Sequence, residues 1–455
     1  MMLAAVVLCL IAVLGTGAIA TQVLRVRLHA GAAFLLGCLA LVFAAAWLDL
    51  LRVPLTRATW IALAAPGWMA AVWCSRRARP FLARMHAAWR ELTPLATGVL
   101  LCGAIVGLMI VCQALAVPME GFDARYIWAF KAKALFTEHT LYSPPFLDPL
   151  RPHLHRSYPP AIAWLESFPA TIAGAFDDRA LKLLFPPFLW VLAAMVFAGA
   201  RRIGLDRSSA MVWAVLVACW PPFFRHDFGG AAHDGYTDLP LAAAYAGATL
   251  WLIEWRDTGR WRDLVLCALC AAFAAYVKRE GQLAAAVILV AVVVHAWRRR
   301  AVLAPFLFAG VVVLLLVPHV AYLRALPLPE AMSVPPAPDE DYSALFAQRG
   351  VLAVAKNLPA VAAWFARLPF GLPMGASGFL AALVVVAAMW RRPRVPHAAL
   401  LFWLVAAPVA CYIVALALQP FASLEFHLGT ASTRLWMHVT GALVLLLAGF
   451  TRSGD

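Results

Sequence analysis

Apolar runs long enough to cross a bilayer follow one another almost from end to end of this 455-residue chain. A membrane helix needs about 20 such residues. Inside lipid every backbone N–H and C=O must be satisfied within the structure, so only helices or a closed barrel can span it. Barrel strands would alternate apolar and polar residues over about 10 positions, whereas these runs are continuously apolar. Hydrophobic residues make up 64% of the chain and charged residues only 13%, with a mean hydropathy of +0.82; a soluble domain carries about 25% charged residues. These values exclude a soluble enzyme, a disordered chain and a secreted disulfide scaffold. The expected fold class is an all-α integral membrane protein.

Thirteen transmembrane helices are expected, over residues 2–21, 30–50, 57–74, 94–117, 180–200, 208–224, 238–255, 264–277, 281–297, 301–322, 372–390, 397–418 and 435–450. The segment from Met1 to about Ala20 has no basic leader ahead of it, and Arg25 and Arg27 follow it, so it reads as the first membrane helix. The net charge of +14 does not point to nucleic acid, because the cations gather in alternate short links. One set of links holds clusters such as Arg76/Arg77/Arg79, Arg201/Arg202, Arg298/Arg299/Arg300 and Arg391/Arg392/Arg394; the opposite set holds only Arg52, Arg57, Arg225, Lys278, Arg279 and Arg434. The positive-inside rule places the first set in the cytoplasm. The nine cysteines lie almost wholly in apolar stretches and form no disulfide framework; Cys267 and Cys270 read as incidental helix packing.

This orientation leaves two long loops outside, about 118–179 and 323–371. In the first, Ile127, Trp128, Phe130, Ala134 and Leu135 recur at helical spacing among Arg125, Lys131 and Lys133, which predicts a helix lying in the interface. Pro144-Pro145 ends it, and Tyr158-Pro159-Pro160 opens a second interfacial or re-entrant helix running to about Phe176. Three sections follow: a transmembrane extension over 1–92, a transmembrane module over 93–322 containing the loop 118–179, and a loop with further transmembrane helices over 323–455.

Three clusters on the outer face carry residues suited to chemistry. Asp123, with Glu120 beside it, sits at the mouth of a span; it suits an N-cap or a general base accepting a hydroxyl proton. The segment Arg225 to Pro240 concentrates His226, Asp227, His233, Asp234 and Asp238 around glycines. His233 and Asp234 could bind a divalent cation, although the spacing matches no specific metal motif; Asp238 also suits a helix cap. The third cluster is cationic: Arg151, His153, His155, Arg156, Lys278, Arg279 and Arg434. These either snorkel to headgroups or clamp a phosphate. Charge is nearly missing from the middle of the spans, where an ion relay would need it. There is no P-loop, no dinucleotide fingerprint and no H-E-x-x-H.

A carboxylate after an early span, an amphipathic pair in the first large outer loop, the Tyr158-Pro159-Pro160 turn and the ending Gly235-Tyr-Thr-Asp-Leu-Pro-Leu241 resemble the GT-C-fold glycosyltransferases. These multi-spanning enzymes use polyprenyl-phosphate sugars, as do protein O-mannosyltransferases and the aminoarabinose transferases of lipid A. The resemblance covers roughly Leu95 to Gly281 and implies transfer of a sugar from a polyprenyl-phosphate donor to a lipid, glycan or protein acceptor hydroxyl on the extracytoplasmic face, with inversion. It implies that the first-loop catalytic acid is Asp123 and the second-loop acid Asp234 or Asp238. Lys278, Arg279, Arg156 and Arg434 would then hold the donor phosphate, and His155, Tyr158, Trp128, Asp234 and Asp238 would line the acceptor or sugar. A divalent cation is the one cofactor candidate the sequence offers. Three spans precede Asp123 here, whereas in that family the catalytic loop usually follows the first. The Ala- and Arg-rich composition fits a bacterial inner membrane, with the site facing the periplasm or exterior. A transporter or polymerase of lipid-linked glycans is the alternative, and a non-enzymatic assembly subunit a third reading.

Overall fold

A computed structural model describes residues 1–26, 30–76, 87, 89–148, 155–225, 229–326, 342–368, 395–418 and 424–451. The described residues are mostly helical, with no strand among them. The first three helices are α1 (Met2–Val23), α2 (Ala30–Leu50) and α3 (Arg57–Ser75). Then come α4 (Pro94–Ala116), a π-helical stretch Asp123–Ala129 that runs directly into α5 (Phe130–Glu138), and α6 (Ala161–Ala173). Besides short turns of helix such as Pro144–Leu147 and Asp178–Leu181, there follow α7 (Pro186–Arg202), α8 (Arg207–Ala218), α9 (Asp238–Thr258), α10 (Trp261–Val277), α11 (Arg279–Arg299), α12 (Leu303–Ala325), α13 (Tyr342–Arg367), α14 (Ala398–Leu418) and α15 (Leu424–Phe450). Among the described residues, eight helices are long and apolar enough to cross a membrane; α8 is a shorter apolar helix.

Local chemistry sets many of the ends. Thr93 accepts from the Ala96 amide and Pro94 opens α4, since a proline at the first helical position lacks only an N–H that would be unpaired anyway. Asp206 caps α8 through the Ser209 amide at 3.0 Å. The predicted span 208–224 ends earlier, at Ala218, because Pro221-Pro222 cannot continue the ladder and form a 3₁₀ turn instead. The last predicted span, 435–450, starts earlier, at Leu424, which draws Arg434 into the same helix as His438. The predicted span 372–390 lies outside the described residues. Within the second predicted loop, 342–367 form the amphipathic α13, which packs on α14 and α15. Its Asn357 donates to the Ala417 carbonyl at 3.2 Å and its Trp364 indole to Ser432 at 3.1 Å.

The three N-terminal helices form a close bundle. A Cβ built on Gly15 would lie 1.8 Å from the Gly67 carbonyl oxygen, so α1 and α3 touch backbone to backbone. Such small-residue contacts let apolar helices gain dispersion where lipid offers no hydrophobic contrast. The bundle is not peripheral: Trp60 of α3 stacks on Phe168 of α6 at 4.8 Å, and Phe34 of α2 meets Phe188 of α7 edge-on at 5.1 Å. Residues Ala161 to Thr171 of α6 are all buried, so the second loop helix meets protein on every side.

The helix that organises the polar ends is α9. Its 21 residues reach about 30 Å, the thickness of a hydrocarbon core. At its far end Arg202 bridges Asp257 at 3.0 Å and Glu254 at 3.5 Å, and His397 meets Asp257 at 3.3 Å. At its near end stands Asp238.

Candidate active site

Asp238 is the first residue of α9 and is fully buried. Its Oδ1 takes Lys278 Nζ at 2.9 Å and His438 Nε2 at 2.8 Å. A carboxylate only accepts, so Nε2 carries a proton; Nδ1 shares a hydrogen bond with the Tyr412 hydroxyl at 3.2 Å. Lys278 also meets Glu280 at 3.1 Å. Burial pushes the Lys278 pKa down, but the Asp238 and Glu280 carboxylates more than offset this, and its ammonium is held above the usual lysine value. The turn carrying Lys278 is tight. A Cβ on Gly281 would lie 1.8 Å from the Ala274 carbonyl oxygen, so α10 and α11 turn on each other at this glycine.

Arg434 joins this cluster to the first loop. Its Nη1 hydrogen-bonds Asp123 Oδ2 and lies 3.8 Å from Asp238 Oδ2. Its Nε donates to the Thr430 carbonyl at 3.0 Å, and its guanidinium sits 5.1 Å from the centroid of the Tyr236 ring. Burial, reinforced by Asp123, raises the Tyr236 hydroxyl to about 12 despite Arg434. Asp123 is the first residue of the π-helical stretch, with Phe122 in the N-cap position, so Asp123 is not the N-cap expected of it; its carboxylate binds Arg434. The site thus draws on the first loop, the start of α9, the α10–α11 turn, α14 and α15.

A second group lies across that same turn. Arg279 points away from Asp238 and sits 5.2 Å over the Tyr158 ring. Tyr158 packs with Trp128 at 5.8 Å and His155 at 5.2 Å. Lys131, expected on the polar face of the amphipathic helix, is instead buried. It donates to the carbonyls of His155 and Tyr158 at 2.7 and 3.0 Å, pinning the first loop to its own helix. Arg156 donates to the Leu147 carbonyl at 3.3 Å and so braces the loop.

The remaining predicted residues sit nearby but apart. His233 Nε2 and Asp234 Oδ1 are 3.3 Å apart and buried. Glu120 is exposed and, with Asp178 and Asp234, acts electrostatically on the buried Lys182. Lys182 in turn holds the Pro118 carbonyl at 3.2 Å. Among the described residues no group of three or more His, Cys, Asp or Glu side chains could hold a metal. His226 and Asp227, like Arg151 and His153, lie outside the described residues.

The sequence reading did not single out His438, Tyr412, Glu280 or Tyr236. One signal was available for His438: it falls one helical turn after Arg434. Glu280 and Tyr236 stand beside residues that were chosen.

Residues 157–322 match a family model described as dolichyl-phosphate-mannose-protein mannosyltransferase. No curated protein and no solved structure matches the chain. The matched stretch contains Tyr158, Asp234, Asp238, Lys278 and Arg279, whereas Asp123, Arg434 and His438 lie outside it. With the apolar helices, the match bears out the resemblance to the GT-C-fold glycosyltransferases. The match and the apolar helices support a membrane glycosyltransferase, and a polyprenyl-phosphate sugar donor is what the family implies.

Proposed function

We propose that this membrane glycosyltransferase attaches its sugar to an acceptor hydroxyl at the Asp123–Asp238 end of the bundle, on the extracytoplasmic face, with Asp123 as base. Nucleotide sugars are made inside the cell, so an outward-facing site needs a donor carried on a lipid. The leaving group is then an anionic phosphate, which cations stabilise without a general acid. The acceptor oxygen attacks the anomeric carbon and its proton passes to the Asp123 carboxylate. The bond from that carbon to the phosphate oxygen breaks, and the electron pair leaves on the phosphate. A single direct displacement inverts the anomeric centre.

The observation that carries this reading is the convergence of Asp123, Asp238, Lys278 and Arg434, from four distant parts of the chain, at one end of the helices. The buried Lys278 is already held by two carboxylates, so it positions Asp238, while Arg434 and the half-buried Arg279 take the phosphate. Arg156 braces the loop. Tyr158, Trp128 and His155 offer ring faces to a sugar, and His233 and Asp234 remain the pair toward which a divalent cation would be drawn. The module 93–322 is complete as an active site only with the last helix of 323–455.

The test is transfer in proteoliposomes. Radiolabelled polyprenyl-phosphate sugars are offered to a membrane extract by wild type and Asp123→Asn. Label should reach an acceptor with wild type and fall at least about 100-fold in the variant. Equal transfer by both proteins, with the variant shown to be folded, would remove Asp123 from the role of base.

A further inference from the structure

The side chain assigned as base is occupied. Asp123 Oδ2 accepts from Arg434 Nη1, so the proposed proton acceptor and a proposed phosphate ligand are bonded to each other. The same nitrogen has a second carboxylate within reach. Asp238 Oδ2 is buried, accepts no hydrogen bond among the described residues, and lies 3.8 Å from Arg434 Nη1. Oδ1 of Asp238 is meanwhile saturated by Lys278 and His438. An unfilled buried acceptor is destabilising, and a short swing of Arg434 would fill it.

The loop beside Arg434 and Asp238 is glycine backbone: Gly229 and Gly230 both have positive φ, and an added Cβ on Gly229 would just touch Arg434 Cδ at 3.4 Å and one on Gly230 would just touch Asp238 Cβ at 3.5 Å. Tyr236 offers a ring face along which the guanidinium can slide. Asp123 and Arg434 each keep part of their surface in contact with solvent, unlike Asp238.

We propose that Arg434 is a donor-triggered switch: the incoming lipid phosphate draws it off Asp123, Asp238 Oδ2 receives it on the other side, and the freed Asp123 becomes competent as base. This rests on the functional reading above and adds an order to it, in which donor binding precedes activation of the acceptor hydroxyl. Arg434 carries two ligands in each state, Asp123 with the Thr430 carbonyl before and phosphate with Asp238 after, so no buried charge is stranded at either end. A hydroxyl arriving alone meets a carboxylate already engaged. The enzyme thereby withholds its base until the leaving group is in place.

The consequence for binding is direct. Asp123 and the lipid phosphate compete for one guanidinium, so removing the carboxylate should strengthen phosphate binding. The full chain in lipid nanodiscs is titrated with a tritiated long-chain polyprenyl phosphate carrying no sugar. Asp123→Asn should bind about tenfold more tightly than wild type, while Arg434→Gln should bind at least about tenfold more weakly. The double variant should match Arg434→Gln, because the gain exists only where Arg434 is present to be released. Asp123→Ser serves as a second probe, and monodispersity with an unchanged unfolding temperature checks folding.

Binding by Asp123→Asn that is equal to or weaker than wild type overturns the switch, and so does a gain that persists without Arg434. Tighter binding together with lost transfer supports both the switch and the assigned base. Tighter binding with normal transfer keeps the competition and removes Asp123 as base. No saturable binding by any form overturns both the donor assignment and the switch.

Discussion

Lys278 and Arg279 are adjacent in the chain yet serve opposite clusters. Lys278 Nζ lies 2.9 Å from Asp238 Oδ1, while the Arg279 guanidinium rests 5.2 Å over the Tyr158 ring. The extended residue between α10 and α11 sends one cation inward to a buried acid and the next toward the aromatic first loop. Lys278→Met should therefore strand a buried charge, at a cost of about 3–5 kcal/mol. Arg279→Gln should leave stability within about 1 kcal/mol and lower transfer at least tenfold. Thermal unfolding in nanodiscs, paired with the transfer assay, separates the two.

His438 should matter through what it can donate. His438→Gln keeps an N–H for Asp238 and should retain most transfer. His438→Phe leaves Asp238 short of a donor, and should cost about 1–3 kcal/mol of stability and lower kcat more than it raises KM. Steady-state kinetics across the pair checks this.

Glu166 lies fully buried in α6, with no hydrogen bond to either carboxylate oxygen among the described residues. Burial raises its pKa from 4.5 to about 8. The folded state thus binds a proton that the unfolded chain releases earlier. Stability is retained at low pH and falls as pH climbs from about 4.5 to about 8. Glu166→Gln should abolish that decline. Its unfolding temperature should equal that of wild type in acid and exceed it by at least about 2 °C in mild alkali; a constant difference at all pH values would refute the account.

Gly281→Ala should be costly despite the small change. The new Cβ collides with the Ala274 carbonyl, so the α10–α11 turn must open and Lys278 must leave Asp238. Loss of transfer should exceed that of Ala→Gly changes elsewhere in α11, when measured at equal amounts of folded protein.

The helices were readable because lipid imposes one rule along the whole chain: apolar runs of bilayer length become helices. Asp238 stood out because acids are scarce between such runs, and Arg434 because a cation outside the cytoplasmic links needs a reason. The pairing of Asp123 with Arg434 was not readable, since 311 positions separate them and no local pattern reports so distant a contact. Lys131 was expected among the outward cations of an interfacial helix because its spacing is that of an amphipathic helix, and only the fold-back of His155 and Tyr158 supplies the carbonyls that bury it. His438 resembled any lone histidine in an apolar run until the helix was extended back to Leu424. Lys356 and Arg367, together with Pro359, made 342–367 look like loop, although Val361 and Phe365 fall one helical turn apart and pack into the core beside Tyr412.

The distance in sequence between Asp123 and Arg434 also bears on how the protein is made. A ribosome delivers the first loop, the acid of α9 and the cationic turn long before α15 emerges. Until that last helix enters the membrane, Asp238 has neither His438 nor Arg434, and the aromatic loop has no anchor on that side. A prematurely terminated chain would hold the whole family-matched stretch and still be inert. On the proposed mechanism, chain order itself would keep half-built protein from acting on a lipid-linked sugar.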